Sequence, residues 1–245
     1  MVGFGGLVVV GVRTMGGRQP SLHPVDSLRR VEAEVIACRA CPRLVEWRER
    51  VARERRAAFR DERYWGRPVP GFGDPHAELL VVGLAPAAHG ANRTGRMFTG
   101  DRSGDVLYAA LHRAGYADRP TSVHRDDGLT LTGAYVTAPV KCAPPGNRPA
   151  PDERERCRPF FARELRLLRD VRVVLALGDF AYRSVAAELG LRPRPRFAHG
   201  LEVRLPDGRH LLCSYHVSQQ NTFTGRLTPA MLDAVLARAR VLAGR

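Results

Sequence analysis

Lysine is almost missing from this 245-residue chain: Lys141 stands alone among 39 basic residues, and nearly all the positive charge is arginine. That leaves one side-chain amine for any chemistry that forms a Schiff base. Cysteine is scarce, with Cys38, Cys41, Cys142, Cys157 and Cys213 an odd set without an obvious secretory signal, which argues against a disulfide framework. No apolar run is long enough to span a bilayer, so a membrane protein is not expected. Internal repeats and long low-complexity linkers are lacking too.

What is present is a 44% hydrophobic content, enough for one core of ordinary size, and a formal charge of +14. Such a charge implies a polyanionic partner, nucleic acid or an anionic surface, although an arginine- and alanine-rich composition is also what a GC-rich genome encodes. Met1 to Pro20 is apolar and glycine-rich, with no basic residue before Val8-Val9-Val10. It reads as a disordered tail or an over-extended start, with a signal peptide as the alternative. Residues 21–245 read as one domain.

From Val25 to about Arg60, apolar residues at helical spacing (Leu28, Val31, Val35, then Leu44, Trp47, Val51) predict helices interrupted near Pro42. Four short apolar runs follow: Ala77 to Leu84, Ala134 to Val140, Val171 to Leu177 and His210 to His216. They read as buried parallel strands. Ser103 to Gly115, Asp152 to Arg169, Asp179 to Leu189 and Thr228 to Leu242 read as the helices alternating with them. The expected architecture is an α/β/α three-layer sandwich around a four-stranded, mainly parallel sheet. Phe197 to Arg209, with Leu-Pro-Asp-Gly-Arg at its centre, predicts a hairpin feeding the last strand. In such a sheet ligands bind beyond the carboxyl ends of the strands, which selects the loops Ala85 to Asp101, Cys142 to Ala150 and Val217 to Leu227.

Cys38 and Cys41 form a CxxC at the helix interruption, and Cys142 and Cys157 can complete a set of four thiolates suited to zinc or an iron–sulfur cluster. Buried cysteines packing as small hydrophobes are the alternative, and that is the reading for Cys213.

The run from Gly83 through Ala85-Pro86-Ala87-Ala88-His89-Gly90 to Phe98-Thr99-Gly100-Asp101 resembles the first motif of the uracil-DNA glycosylase superfamily, specifically its iron–sulfur type B branch, family 5. His216-Val217-Ser218-Gln219-Gln220-Asn221-Thr222-Phe223-Thr224-Gly225-Arg226-Leu227-Thr228 resembles that branch's DNA-entering loop, and Lys141 to Pro149 extends the likeness. The likeness runs from about Cys38 to the C-terminus. Where the type A branch has a glutamate after the first glycine and an asparagine ending the second strand, this chain has Leu84 and Ala138, which again matches type B.

The resemblance implies a [4Fe–4S] cluster on Cys38, Cys41, Cys142 and Cys157. It implies a monomeric, cytoplasmic, nucleoid-associated enzyme that excises uracil, and other deaminated bases such as hypoxanthine and xanthine, from double-stranded DNA. Asp101 would stabilise the sugar cation and orient water, although Asp-Arg-Ser before an apolar run is also a helix N-cap pattern. His216 would donate a hydrogen bond to the departing base, and Asn147, otherwise a turn residue, would hold water or the base edge. Phe98 would stack on the base, with backbone amides of Ala85, Pro86, Ala87 and Ala88 around its edge (Pro86 itself supplies no N–H). Gln219, Gln220, Asn221 and Thr222 would fill the gap left in the duplex, with Ser218 and Arg226 on phosphates. Arg93, Arg96 and Arg148 suit phosphates or are ordinary surface charge; His89 and Asn92 support the loop or face solvent. The rivals are a nucleic-acid-binding module without catalysis and a zinc-stabilised nucleotide-binding protein.

Overall fold

The computed structural model describes residues 26–245; the tail expected over residues 1–20 lies outside them. Six strands form one sheet: β1 (Phe72–Gly73), β2 (Leu79–Val82), β3 (Ala134–Thr137), β4 (Val173–Leu177), β5 (Glu202–Arg204) and β6 (His210–Ser214), in the order β1-β3-β2-β4-β6-β5. The central four are parallel and coincide with the four apolar runs; β1 and β5 pair antiparallel at the edges. The four-stranded expectation is therefore corrected to six. β1, two residues ending in glycine, has no pattern to find, and β5, Glu-Val-Arg with both charged residues exposed, shows in the sequence only as an arm of the predicted hairpin.

Alternation along the buried strands divides the core in two. Leu79, Val81, Val173, Leu175 and Leu212 face α4 (Arg102–Arg113) and α8 (Pro229–Ala243), whose Leu107, Leu111, Leu232 and Leu236 complete one cluster. Leu80, Val82, Val174, Ala176 and Leu211 face α5 (Pro151–Leu167) and α6 (Asp179–Glu188) through Phe161, Leu165, Tyr182 and Val185. This is the expected three-layer sandwich. Cys213 packs in the second cluster, as a small hydrophobe would. The hairpin forms as expected: β5 returns into β6 through Leu205 to Arg209, closed by Leu205 N–H to the Arg209 carbonyl at 2.8 Å.

At the N-terminal end, Ser27 caps α1 (Leu28–Ala37), Cys38 ends it, and Cys41 precedes α2 (Pro42–Glu54), which has Pro42 in its first turn. The CxxC thus spans the junction between the two helices. Two short helices fall inside the predicted loops: α3 (Ala91–Thr94) and α7 (Gln219–Phe223). Among the described residues no helix is long and apolar enough to cross a membrane.

Candidate active site

The loops after β2, β3 and β6 meet in one cleft of about 420 Å³. The first contributes Leu84, Ala85, Ala87, Met97, Phe98 and Asp101, followed by Ser103 from the start of α4; the second Gly146, Asn147 and Arg148; the third His216, Ser218 and Gln220. Parallel order puts all three loops at the carboxyl end of the sheet, which is why segments over 130 residues apart in sequence share a cavity.

Asp101 caps α4, as its sequence pattern offered, and also lines the cleft. Its Oδ1 accepts the Gly104 N–H at 3.0 Å as the N-cap of α4, while Oδ2 rests against Gly90, where any side chain would collide with it. Burial pushes the carboxyl up from its ordinary value, opposed by the amides of Gly104 and Ser103. The carboxyl thus lies beside the cleft at a helix N-terminus, where the helix dipole favours negative charge.

Phe98 has φ +52°, in the left-handed region that aromatic residues avoid. Its ring lies against Gly83, where a Cβ would come within 2.5 Å of it, and 6.0 Å from the His216 ring between centroids, tilted by 34°. A planar floor results, bordered by an imidazole. Asn147 also has positive φ, +56°, ending a short turn from Pro145 with its N–H on the Pro144 carbonyl at 3.1 Å. Of the three described non-glycine residues with positive φ, two line this cleft.

Burial pushes the His216 imidazole down to about 4, so it is neutral at pH 7 and can donate a hydrogen bond without carrying charge. The linkage has a definite sign. Because the folded value lies below the unfolded one near 6.5, the histidine contributes stability above pH 6.5 that is lost as pH falls toward 4. The melting temperature is expected to drop over that window and to drop less in His216→Gln. Parallel melting curves of the two proteins between pH 4 and 7 check this; identical slopes would refute the assignment.

Other residues fall elsewhere. Pro86 is buried and Ala88 is half-buried beside the cleft wall. Gln219 and Thr222 sit on α7, and Asn221 turns inward, its Nδ2 donating to the His216 carbonyl at 2.8 Å. Asn221 therefore fixes the histidine's backbone. Arg226 is exposed and stacks over Tyr215 at 4.6 Å. Arg148 stays exposed at the cleft edge, but Arg93 and Arg96 are 7% and 3% exposed, so neither is a phosphate contact or a surface charge. Arg93 donates to the His89 and Gly100 carbonyls at 2.8 and 2.6 Å, and pairs with Glu62. The backbone polar groups of a compact loop need partners, and an arginine fork supplies several at once. Asn92 is fully buried, donating to the Arg48 and Ala88 carbonyls, and His89 bonds the Tyr64 hydroxyl at 3.1 Å. Both support the loop.

Sequence reasoning missed Met97 and Ser103 in the cleft wall and the exposed Phe223, 70% accessible at the end of α7. An aromatic within a polar loop was the available signal for the last. Lys141 points away from the cleft, its Nζ 2.6 Å from Glu164 and 2.5 Å from the Thr137 hydroxyl, all buried.

Cys38, Cys41, Cys142 and Cys157 line one small cavity and form no disulfide. The Lys141 N–H points at the Cys157 sulfur at 3.3 Å. Burial pushes the Cys142 and Cys157 thiols up to about 12, with the Arg48 guanidinium opposing this at Cys142. Arg48 is 2% exposed, and its Nε and Nη1 have no hydrogen-bond partner. Among the described residues no three His, Cys, Asp or Glu side chains converge on a single-ion site.

Residues 70–240 match the family model described as the uracil DNA glycosylase superfamily. A type-5 uracil-DNA glycosylase of Mycobacterium bovis is 57% identical over 221 residues, covering 89% of this chain and 82% of that protein. The type-5 uracil-DNA glycosylase of Thermus thermophilus is 57% identical over 211 residues (86% and 95% of the two chains), and that of Pyrobaculum aerophilum 48% identical over 210 residues (86% and 91%).

Proposed function

The chain belongs to the type-5 uracil-DNA glycosylases, hydrolases that act on N-glycosyl bonds in DNA, and from that premise we propose how its cleft breaks the bond and which bases it accepts. The observation carrying the proposal is the convergence of Asp101, Asn147, Phe98 and His216 from three strand-end loops on one cleft.

The damaged nucleotide leaves the duplex and its base lies on Phe98, an interaction worth about 1–3 kcal/mol that does not depend on which base is stacked. The cost of extrusion, a few kcal/mol, is offset by Gln219, Gln220 and Thr222 entering the gap, with Ser218 and Arg226 against phosphates. As the bond from the sugar to the base nitrogen breaks, its electron pair departs with the base and the sugar becomes cationic. The Asp101 carboxylate stabilises that cation and orients the attacking water, with the Asn147 amide holding the water or the base edge. Neutral His216 donates a hydrogen bond to the base carbonyl oxygen on which negative charge accumulates. Lys141, held in its buried pair with Glu164, forms no Schiff base. The product is an abasic site in an unbroken strand.

Leu84, Ala85 and Ala87 bring small or apolar groups to one side of the cleft, which leaves Asn147 and His216 as the side chains proposed to reach the base. Such a pocket discriminates weakly between bases, so hypoxanthine and xanthine are proposed as further substrates. The expected result with labelled duplexes carrying one uracil or one hypoxanthine is alkali-dependent scission at both, and no covalent adduct under borohydride. Scission without alkali, or a trapped adduct, would replace the monofunctional mechanism with a lyase. Absence of scission at hypoxanthine would confine the pocket to uracil.

Cys38, Cys41, Cys142 and Cys157 are proposed to hold a [4Fe–4S] cluster. Four free thiols around one cavity supply the ligand number that such a cluster takes. The unpaired donors of buried Arg48 suit the negative charge of a thiolate-bound cluster. Bound there, the cluster supplies a structural tie between the α1–α2 junction and the loop carrying Asn147.

A further inference from the structure

Beneath the cleft, Arg96 is 3% exposed and grips Asp127 with both ends of its guanidinium, Nη1 to Oδ1 at 2.8 Å and Nη2 to Oδ2 at 2.6 Å. Its remaining donors reach the Ser122 hydroxyl at 2.8 Å and the Thr99 hydroxyl at 3.0 Å, which lie 2.6 Å from each other. The Asp127 carboxylate also accepts the amides of Val123, His124 and Leu129 at 2.8, 3.2 and 2.9 Å, so it organises the whole 122–129 turn. That turn closes on the first motif a second time, through the Gly100 N–H to the Ser122 carbonyl at 3.1 Å. The Met97 carbonyl is held from both sides, by the buried Tyr108 hydroxyl at 2.9 Å and the Thr99 hydroxyl at 3.2 Å.

Every residue around Phe98 is therefore fixed: Arg96 and Met97 before it, Thr99 and Gly100 after it. Phe98 itself has the one conformation in this segment that its side chain disfavours. A left-handed aromatic persists only where its surroundings over-determine it, and two charged groups take part: Arg93 on the Gly100 carbonyl and, immediately before Phe98, the Arg96–Asp127 pair.

We propose that Arg96 and Asp127 are positioning residues that hold Phe98 in its left-handed conformation and so set the platform on which the extruded base lies. The inference rests on the stacking reading of Phe98 given above. Neutralising Asp127 leaves a buried guanidinium without its counter-charge; the segment then relaxes, Phe98 returns toward ordinary backbone angles, and its ring leaves the cleft floor. DNA binding outside the pocket is untouched.

The test is a double-mutant cycle on single-turnover excision from a uracil duplex, with wild type, Asp127→Asn, Phe98→Gly and the double variant. Glycine takes φ +52° without strain and removes the ring. Asp127→Asn is expected to slow excision about 10–100-fold, as a misplaced group does, with affinity for uracil-free duplex within about 3-fold of wild type. In the Phe98→Gly background the same substitution is expected to change the rate by less than about 3-fold, because the platform it positions is already gone. Equal effects in both backgrounds, or a wild-type rate for Asp127→Asn, overturn the inference. A wild-type rate for Phe98→Gly instead overturns the stacking reading and the inference with it. If Asp127→Asn does not fold, Ser122→Ala, which removes one partner each of Arg96 and Thr99, takes its place in the cycle with the same expected dependence on Phe98.

Discussion

Asp101→Asn is expected to slow single-turnover excision by about 10²–10⁴-fold while leaving the protein folded and DNA-binding. Asparagine separates the helix cap that the structure shows from the counter-charge proposed for this position. Its side-chain oxygen can still accept the Gly104 N–H, and asparagine caps helices about as well as aspartate, so the start of α4 survives. What it cannot do is present a negative charge to the sugar. Asp101→Ala removes both: the same slow excision is expected, with a further loss of about 1 kcal/mol for the cap, or a melting temperature lower by about 2–4 °C for a chain of this size. Single-turnover rates and melting curves on the three proteins read the two roles independently. An Asp101→Asn protein excising at the wild-type rate would reduce Asp101 to a helix cap and leave the cation without its proposed counter-charge.

The second large effect is expected at the cysteines. If the four cysteines hold the proposed cluster, wild-type protein purified without oxygen should be brown and contain iron, Cys157→Ala should lose both, and Cys213→Ala, packed in the apolar cluster against α6, should keep both. A group bound at 1,000 times its dissociation constant adds about 4 kcal/mol to stability, so losing it should lower the melting temperature by about 8–16 °C. The fall should localise to α1, α2, the loop carrying Asn147 and α5, the elements the four cysteines join, and hydrogen exchange can follow each of them. A colourless wild-type protein containing zinc would refute the cluster. So would full iron content in Cys157→Ala.

How far these sites could be read from sequence depended on how local their causes are. Leu79 to Val82 and Val173 to Leu177 announce themselves, because a strand buried on both faces needs an unbroken apolar run. The N-cap role of Asp101 and that of Thr228, which accepts the Met231 N–H at 3.3 Å, lie in three or four consecutive residues. Of the short edge strands, Glu202–Arg204 was legible only through its hairpin turn, and Phe72–Gly73, which exists because β3 offers it a ladder, was not legible at all. Nor were α3 and α7, whose four and five residues carry no apolar stripe. The arginines misled most. Arg93 and Arg96 have the composition of a surface and the burial of a core, since their carboxylate partners, Glu62 and Asp127, each lie 31 residues away in the chain and are met only after folding.

By itself, then, the sequence determined the alternation of strands and helices, the two apolar faces of the sheet, and the three loops with the motifs of a base-excising enzyme. These are properties of periodicity and of short contiguous runs. Tertiary structure alone decided that Asn147, Asp101 and His216 share one cleft, that four cysteines from the α1–α2 junction, the loop after β3 and α5 surround one cavity, and that Phe98 stands in a conformation its own side chain opposes. The physical reason is the same in each case. A residue's neighbours in the chain set which face it presents, but the order in which strands pair sets what that face meets, and a disfavoured backbone angle survives only where those later contacts outweigh it.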